Sequence, residues 1–149
     1  MKVLLTAVNA KYIHSNLAVY DLRAYAEAYG TGGAQVEIGE YTINHTIDYI
    51  LEGIYKAKPD VLCFSCYIWN LDYVEQLMDE YHKICPEVPI WVGGPEVSYE
   101  TEAFLKAHPA GGRDARGVLQ QRTVRHSNPA SGDAVCECVC HVCGTGNFL

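Results

Sequence analysis

Two stretches stand out as unbroken apolar runs: residues 2–8 and residues 61–67. A run without alternation is what a parallel strand buried on both faces requires. Between and after them, apolar positions recur at helical spacing. Ala18, Leu22, Tyr25 and Tyr29 form one stripe, opened by Ser15 or Asn16 as N-cap and stopped by Gly30. Ile47, Ile50, Leu51 and Ile54 form a second stripe, ended by Lys58-Pro59-Asp60, and Val74, Leu77, Met78 and Tyr81 form a third, with Asn70 or Asp72 as cap. Residues 35–41 alternate apolar and polar, as a strand nearer the sheet edge does, and 90–92 is a short strand halted by Gly93-Gly94-Pro95. A last helix is expected from near Ser98, carrying Ala103, Phe104 and Ala107 to His108-Pro109.

Four strand–helix units in about 109 residues predict an α/β doubly wound parallel sheet, flavodoxin-like or Rossmann-like. The two most apolar runs are the first and third strands, which sets the order 2-1-3-4-5 and puts the ligand crevice between strands 1 and 3 at their carboxyl ends. The fifth strand is missing from the pattern. From Gly111 no apolar period is sustained, so the chain divides into an α/β domain over 1–109 and an atypical Cys-rich tail over 110–149, read as an out-of-frame, disordered continuation.

The loops exclude several chemistries. Strand 1 ends in Ala7-Val8-Asn9-Ala10 and strand 3 in Ser65-Cys66-Tyr67, without the acidic residues of a phosphorylated receiver domain. No G-x-G-x-x-G joins a strand to a helix, and the first loop holds no glycine, so phosphate cradling is not the theme. The ligand is expected to be held by shape, apolar contact and a few hydroxyls.

Charge narrows the partners. Residues 1–110 carry 7 Lys/Arg against 15 Asp/Glu, whereas 111–149 carry 4 against 3. An acidic domain lacking a basic stripe is a poor nucleic-acid binder. The run 2–8 is too short to span a membrane and no export pattern surrounds it, so a cytoplasmic protein is expected and Asn44-His45-Thr46 reads as a chance glycosylation match. In that compartment the seven cysteines are core residues, metal ligands or redox groups, not disulfides. Cys63 and Cys66 have C-x-x-C spacing, but three residues apart on a strand they face opposite ways, which favours core packing. Trp69 and Trp91 also read as packing residues, ligand stacking being the second option for Trp69.

Asn9-Ala10-Lys11-Tyr12-Ile13-His14-Ser15-Asn16, Cys63-Phe64-Ser65-Cys66-Tyr67-Ile68-Trp69-Asn70 and Gly93-Gly94-Pro95-Glu96-Val97-Ser98 resemble the N-terminal cobalamin (vitamin B12)-binding domains of cobalamin-dependent radical SAM proteins. The resemblance covers about residues 1–109. It implies a corrinoid across the carboxyl edge of the sheet, its nucleotide tail in the crevice beside Ser65, Cys66 and Tyr67. Gly93 and Gly94, followed by Pro95 and Glu96, would allow backbone to approach the tail. Asn9, Lys11, Tyr12, Ile13 and His14 would face the lower side of the corrin. This chain has Lys11-Tyr12-Ile13-His14-Ser15-Asn16 where many such domains have Asp-x-His-x-x-Gly. Base-off binding without a protein ligand is therefore expected over coordination by His14.

Cys136, Cys140 and Cys143 match the C-x-x-x-C-x-x-C spacing that holds a [4Fe–4S] cluster and leaves one iron for S-adenosylmethionine. Only six residues follow Cys143, where the family has a barrel, so the match is read as coincidental and the cluster as belonging to the parent enzyme. A Zn²⁺ site drawing on Cys136, Cys138, Cys140, His141 and Cys143 is the other metal reading. The function expected is a cobalamin-binding module detached from its catalytic barrel and not itself catalytic. The alternatives are a cofactor-free doubly wound interaction or regulatory domain, and a small enzyme built on the tail. The unfilled sheet edge also points to a homodimer.

Overall fold

A computed structural model of the chain describes residues 1–11, 14–30, 32–99, 104 and 106–108, with the backbone of 119–127 and 134–142. Strands β1 (Lys2–Asn9), β2 (Gln35–Thr42), β3 (Val61–Ser65) and β4 (Ile90–Gly93) alternate with helices α1 (Leu17–Tyr29), α2 (Ile47–Ala57) and α3 (Leu71–Ile84), and α4 (Pro95–Ser98) follows. The strands form one sheet in the order β2-β1-β3-β4, every pair parallel. This is the doubly wound α/β arrangement the apolar runs predict. β1 lies between β2 and β3 and is buried from Leu4 to Val8.

Because side chains alternate along a strand, each strand contributes to both faces. Leu4, Val8, Leu62, Phe64, Cys66 and Ile90 join Ile50, Leu51 and Ile54 of α2 and Val74, Leu77, Met78 and Tyr81 of α3 in the larger core. Leu5 and Ala7 pack with Val19 of α1 on the opposite face, with Cys63 at the margin. The C-x-x-C pair is thus split between two cores, as strand geometry requires. Burial pushes the Cys66 thiol up to about 12, slightly relieved by a hydrogen bond from the Gly93 backbone.

Local chemistry sets the element ends. Asn16 caps α1, its side chain accepting from the Ala18 N–H, and Thr46 caps α2 in the same way through the Tyr49 N–H. α4 is a single turn ahead of the helix expected from near Ser98, of which residues 104, 106 and 107 are helical and the His108 N–H donates to the Phe104 carbonyl. Pro95 occupies the first turn of α4, where its missing N–H costs nothing, and Ser98 closes it by donating to the Gly94 carbonyl.

Within 110–149, β5 (Leu119–Ser127) and β6 (Ala134–Val142) pair antiparallel as a separate two-stranded sheet. The expected fifth parallel strand is not among the described residues. Nor are most of the residues on which the reading of the tail as out-of-frame and disordered rests. No described helix is long and apolar enough to cross a membrane.

Candidate functional site

β1 leads through α1 to β2 on one side, and β3 leads through α3 to β4 on the other. The two connections diverge between β1 and β3, opening a crevice at the carboxyl ends of these strands. The loops after β1, β3 and β4 surround it.

Two asparagines organise this opening. Asn70 is buried, at 1% exposure, yet every polar atom of its side chain is used. Nδ2 donates to the Val8 carbonyl and to the Ser65 carbonyl, both at 2.9 Å, and Oδ1 accepts from the Tyr67 N–H at 2.8 Å. One amide therefore ties the end of β1 to the end of β3 and shapes the turn 66–70. It stands at the N-cap of α3 but makes no capping hydrogen bond with its side chain. In the sequence Asn70 is legible as an N-cap candidate and as the last residue of the Cys63–Asn70 motif, neither of which signals a bridge to Val8. Asn16 spans the mouth of the crevice. Its Nδ2 donates to the Ser65 hydroxyl at 2.9 Å while its Oδ1 caps α1.

The other expected site residues divide into groups. Ser65 is the last residue of β3 and is half-buried. The Cys66 side chain is fully buried in the core, leaving only its backbone at the site. Gly94 has φ 115°, and a Cβ there would meet the Cys66 peptide, with its nitrogen at 2.9 Å. Within the chain, the close approach that Gly94 permits is that of β3's own exit. Gly93 ends β4 and its carbonyl accepts from the Cys66 N–H at 2.6 Å. Pro95 and Glu96 are exposed on α4. Asn9 donates to Glu40 at 3.1 Å, toward β2 and away from β3. The same carboxylate accepts from Tyr20, whose hydroxyl it holds above the ordinary phenol range. Lys11 and His14 are exposed, and the His14 N–H donates to the Lys11 carbonyl. Tyr12 and Ile13 lie outside the described residues.

The packing expectation for Trp69 does not hold. It is 47% exposed and stacks on Tyr67, with centroids 4.5 Å apart and planes at 9°. Trp91 is half-buried in β4. Leu17, Ile68 and Tyr99 are also exposed, at 72%, 78% and 92%. All belong to segments that leave the carboxyl ends of β1, β3 and β4, where a globular protein gains nothing from solvating them. The edge can thus offer an apolar surface beside a crevice with one hydroxyl and two amides. This composition fits a large organic ligand with an inserted tail better than a phosphate-anchored nucleotide.

For metals, no group of three or more His, Cys, Asp or Glu side chains suited to an ion occurs among the described residues. Cys136, Cys138 and Cys140 occupy β6 positions opposite Arg125, Thr123 and Gln121, alternating along one strand. Cys143 lies outside the described residues.

Residues 3–121 match the B12 binding domain family. The chain belongs to that family. The B12 binding domain is 30% identical over 89 residues to the cobalamin-dependent radical SAM methyltransferase TokK of Streptomyces tokunonensis, covering 59% of this chain and 13% of that protein. Its fold is similar to that of the cobalamin-dependent S-adenosylmethionine radical enzyme OxsB, whose structure holds aqua-cobalamin and S-adenosylmethionine. The TM-score is 0.59 at 20% identity, over 73% of this chain and 16% of that one. A cobalamin-binding protein from Desulfitobacterium hafniense DCB-2 shares the fold with a TM-score of 0.51 at 18% identity, over 72% of this chain and 49% of that one. The domain thus corresponds to a small part of the two radical enzymes.

Proposed function

We propose that this chain is the cobalamin-binding module of a radical SAM enzyme, holding the corrinoid over the carboxyl edge of its sheet with the nucleotide tail between β1 and β3. The carrying observation is the switch point between β1 and β3, where doubly wound sheets open their ligand crevice. Half-buried Ser65 ends β3 there, and Leu17, Ile68, Trp69 and Tyr99 are exposed on the segments that follow β1, β3 and β4. Ser65 and the backbone of Cys66 and Tyr67 line the tail, with Gly93 and Gly94 at the far wall. Trp69, stacked on Tyr67, supplies a flat apolar ledge for the macrocycle. Asn9, Lys11, Tyr12, Ile13 and His14 belong to the loop that faces the lower side of the corrin, and Pro95 and Glu96 to its rim.

When bound, the corrinoid supplies cobalt-centred chemistry such as carrying a methyl group; the chain's own residues bind and orient it. Base-off binding without a protein ligand is the form we favour. His14 is exposed, its N–H donates to the Lys11 carbonyl, and no described carboxylate holds its ring. Radical generation from S-adenosylmethionine at a [4Fe–4S] cluster, by a barrel-containing parent protein, belongs to the same proposal, and Cys136, Cys140 and Cys143 are not assigned to that cluster. A cytoplasmic location, the absence of nucleic-acid partners and pairing of two copies through the β4 edge complete it. Among the described residues β4 pairs with β3 alone.

The test is to add hydroxocobalamin to the purified chain, desalt, and record the visible spectrum. Retained corrinoid with a base-off spectrum is expected. Failure to retain it would favour a cofactor-free interaction domain.

A further inference from the structure

The Asn16–Ser65 contact fixes more than a distance. An Asn amide can be built in either of two orientations, but here the choice is made by the helix. The Ala18 N–H must meet an acceptor, so the atom it contacts at 3.1 Å is the carbonyl oxygen. The atom at 2.9 Å from the Ser65 hydroxyl oxygen is then the NH₂, which only donates. Ser65 Oγ therefore accepts from Asn16 and must send its own proton elsewhere. No described residue takes that proton. The hydroxyl stands on the last residue of β3, beside the switch point between β1 and β3.

From this we infer that Asn16 is a positioning residue that sets the polarity of the tail site. It turns Ser65 into a donor aimed into the crevice, so the site selects a tail presenting a hydrogen-bond acceptor beside Ser65. The inference rests on the cobalamin reading above and extends it to a residue that touches the ligand only through Ser65. The same side chain caps α1, so the start of that helix and the donor direction of Ser65 are fixed together by one amide.

The experiment measures affinity for hydroxocobalamin and, separately, for cobinamide, which has the corrin but no nucleotide tail. Four proteins are compared: the unaltered chain, Ser65→Ala, Asn16→Asp and the double variant. Asp keeps the capping oxygen for α1 but presents a second acceptor to Ser65, which then spends its proton on Asn16's replacement. Loss of one hydrogen bond corresponds to about three- to tenfold in affinity. We expect Ser65→Ala and Asn16→Asp each to weaken hydroxocobalamin binding by about that factor. The double variant should be no weaker than the worse single, and cobinamide affinity should hardly move. Asn16→Ser, which keeps a cap without imposing an acceptor on Ser65, should recover part of the loss.

Additive losses, equal losses for both corrinoids, or no loss in Asn16→Asp would overturn the inference while leaving the cobalamin reading intact. An unaltered chain that binds neither corrinoid overturns both. Far-UV circular dichroism on each variant separates loss of α1 from loss of the donor.

Discussion

Asn70 gives the sharpest stability prediction, because a single buried amide makes three hydrogen bonds across the site. Asn70→Ala leaves the Tyr67 N–H and the Val8 and Ser65 carbonyls without their partner. At about 1 kcal/mol net for each bond, the expected loss is roughly 3 kcal/mol. Asn70→Asp keeps the shape and the acceptor for Tyr67 but places a carboxylate oxygen against two carbonyls. Both burial and those carbonyls disfavour its charge, so the new carboxyl has a folded pKa raised above its unfolded value of about 3.9. The folded state then holds the proton more tightly than the unfolded one. Stability of this variant is greatest below the unfolded pKa and falls as pH rises through the folded pKa. Urea unfolding followed by circular dichroism, on unaltered, Ala and Asp proteins across pH 4 to 8, measures both effects. A loss below about 0.5 kcal/mol for Ala, at the floor for one hydrogen bond, would refute the clamp. So would an Asp variant whose penalty does not grow with pH.

Other consequences follow from single features of the fold. Gly94→Ala places a Cβ at φ 115° against the Cys66 peptide and should cost about 2 kcal/mol or more, read as a lowered Tm. Thr6 is buried at 1% exposure with no partner for its hydroxyl among the described residues, so Thr6→Val should stabilise by about 1 kcal/mol in urea unfolding. The Cys66 thiol, pushed up to about 12 by burial, should resist iodoacetamide at pH 8 in the folded chain while half-buried Cys63 and Cys85 react first, as mass spectrometry of the digest would report.

Much of the framework was legible because its causes are local. The continuous runs at 2–8 and 61–67 mark strands covered on both faces, and they became β1 and β3. The stripe Ile47, Ile50, Leu51, Ile54 behind Thr46 became α2, and Asn16 capped α1 as its side chain allows. From alternating strands and helices with two central runs, the order β2-β1-β3-β4 followed by right-handed crossover. The position of Ser65 near the end of β3 was legible for the same reason.

The illegible parts depend on long-range or positional effects. Asn70 reaches Val8, 62 residues away in sequence, and no spacing rule signals such a contact. Trp69 has a core residue's chemistry but sits on a turn beyond the sheet, so its exposure depends on where β3 ends: at Ser65, two residues before the apolar run does. α4 begins at Pro95 because Gly94 turns the chain with a positive φ, a conformation that Gly-Gly-Pro permits without requiring. β5 mixes Arg, Gln, Thr, His and Ser without the apolar alternation by which a half-buried strand is recognised, and β6 draws the eye as a cysteine cluster with metal-ligand spacing before it reads as a strand.

Hydrogen–deuterium exchange of the chain with and without hydroxocobalamin tests the central claim most directly, since it reports where the ligand sits. Amides at the start of α1 and in the turn 66–70 should slow on binding, while the turns 58–60 and 86–89 at the opposite edge of the sheet keep their rates. Slowing confined to that opposite edge, or no change at saturating ligand, would contradict the account.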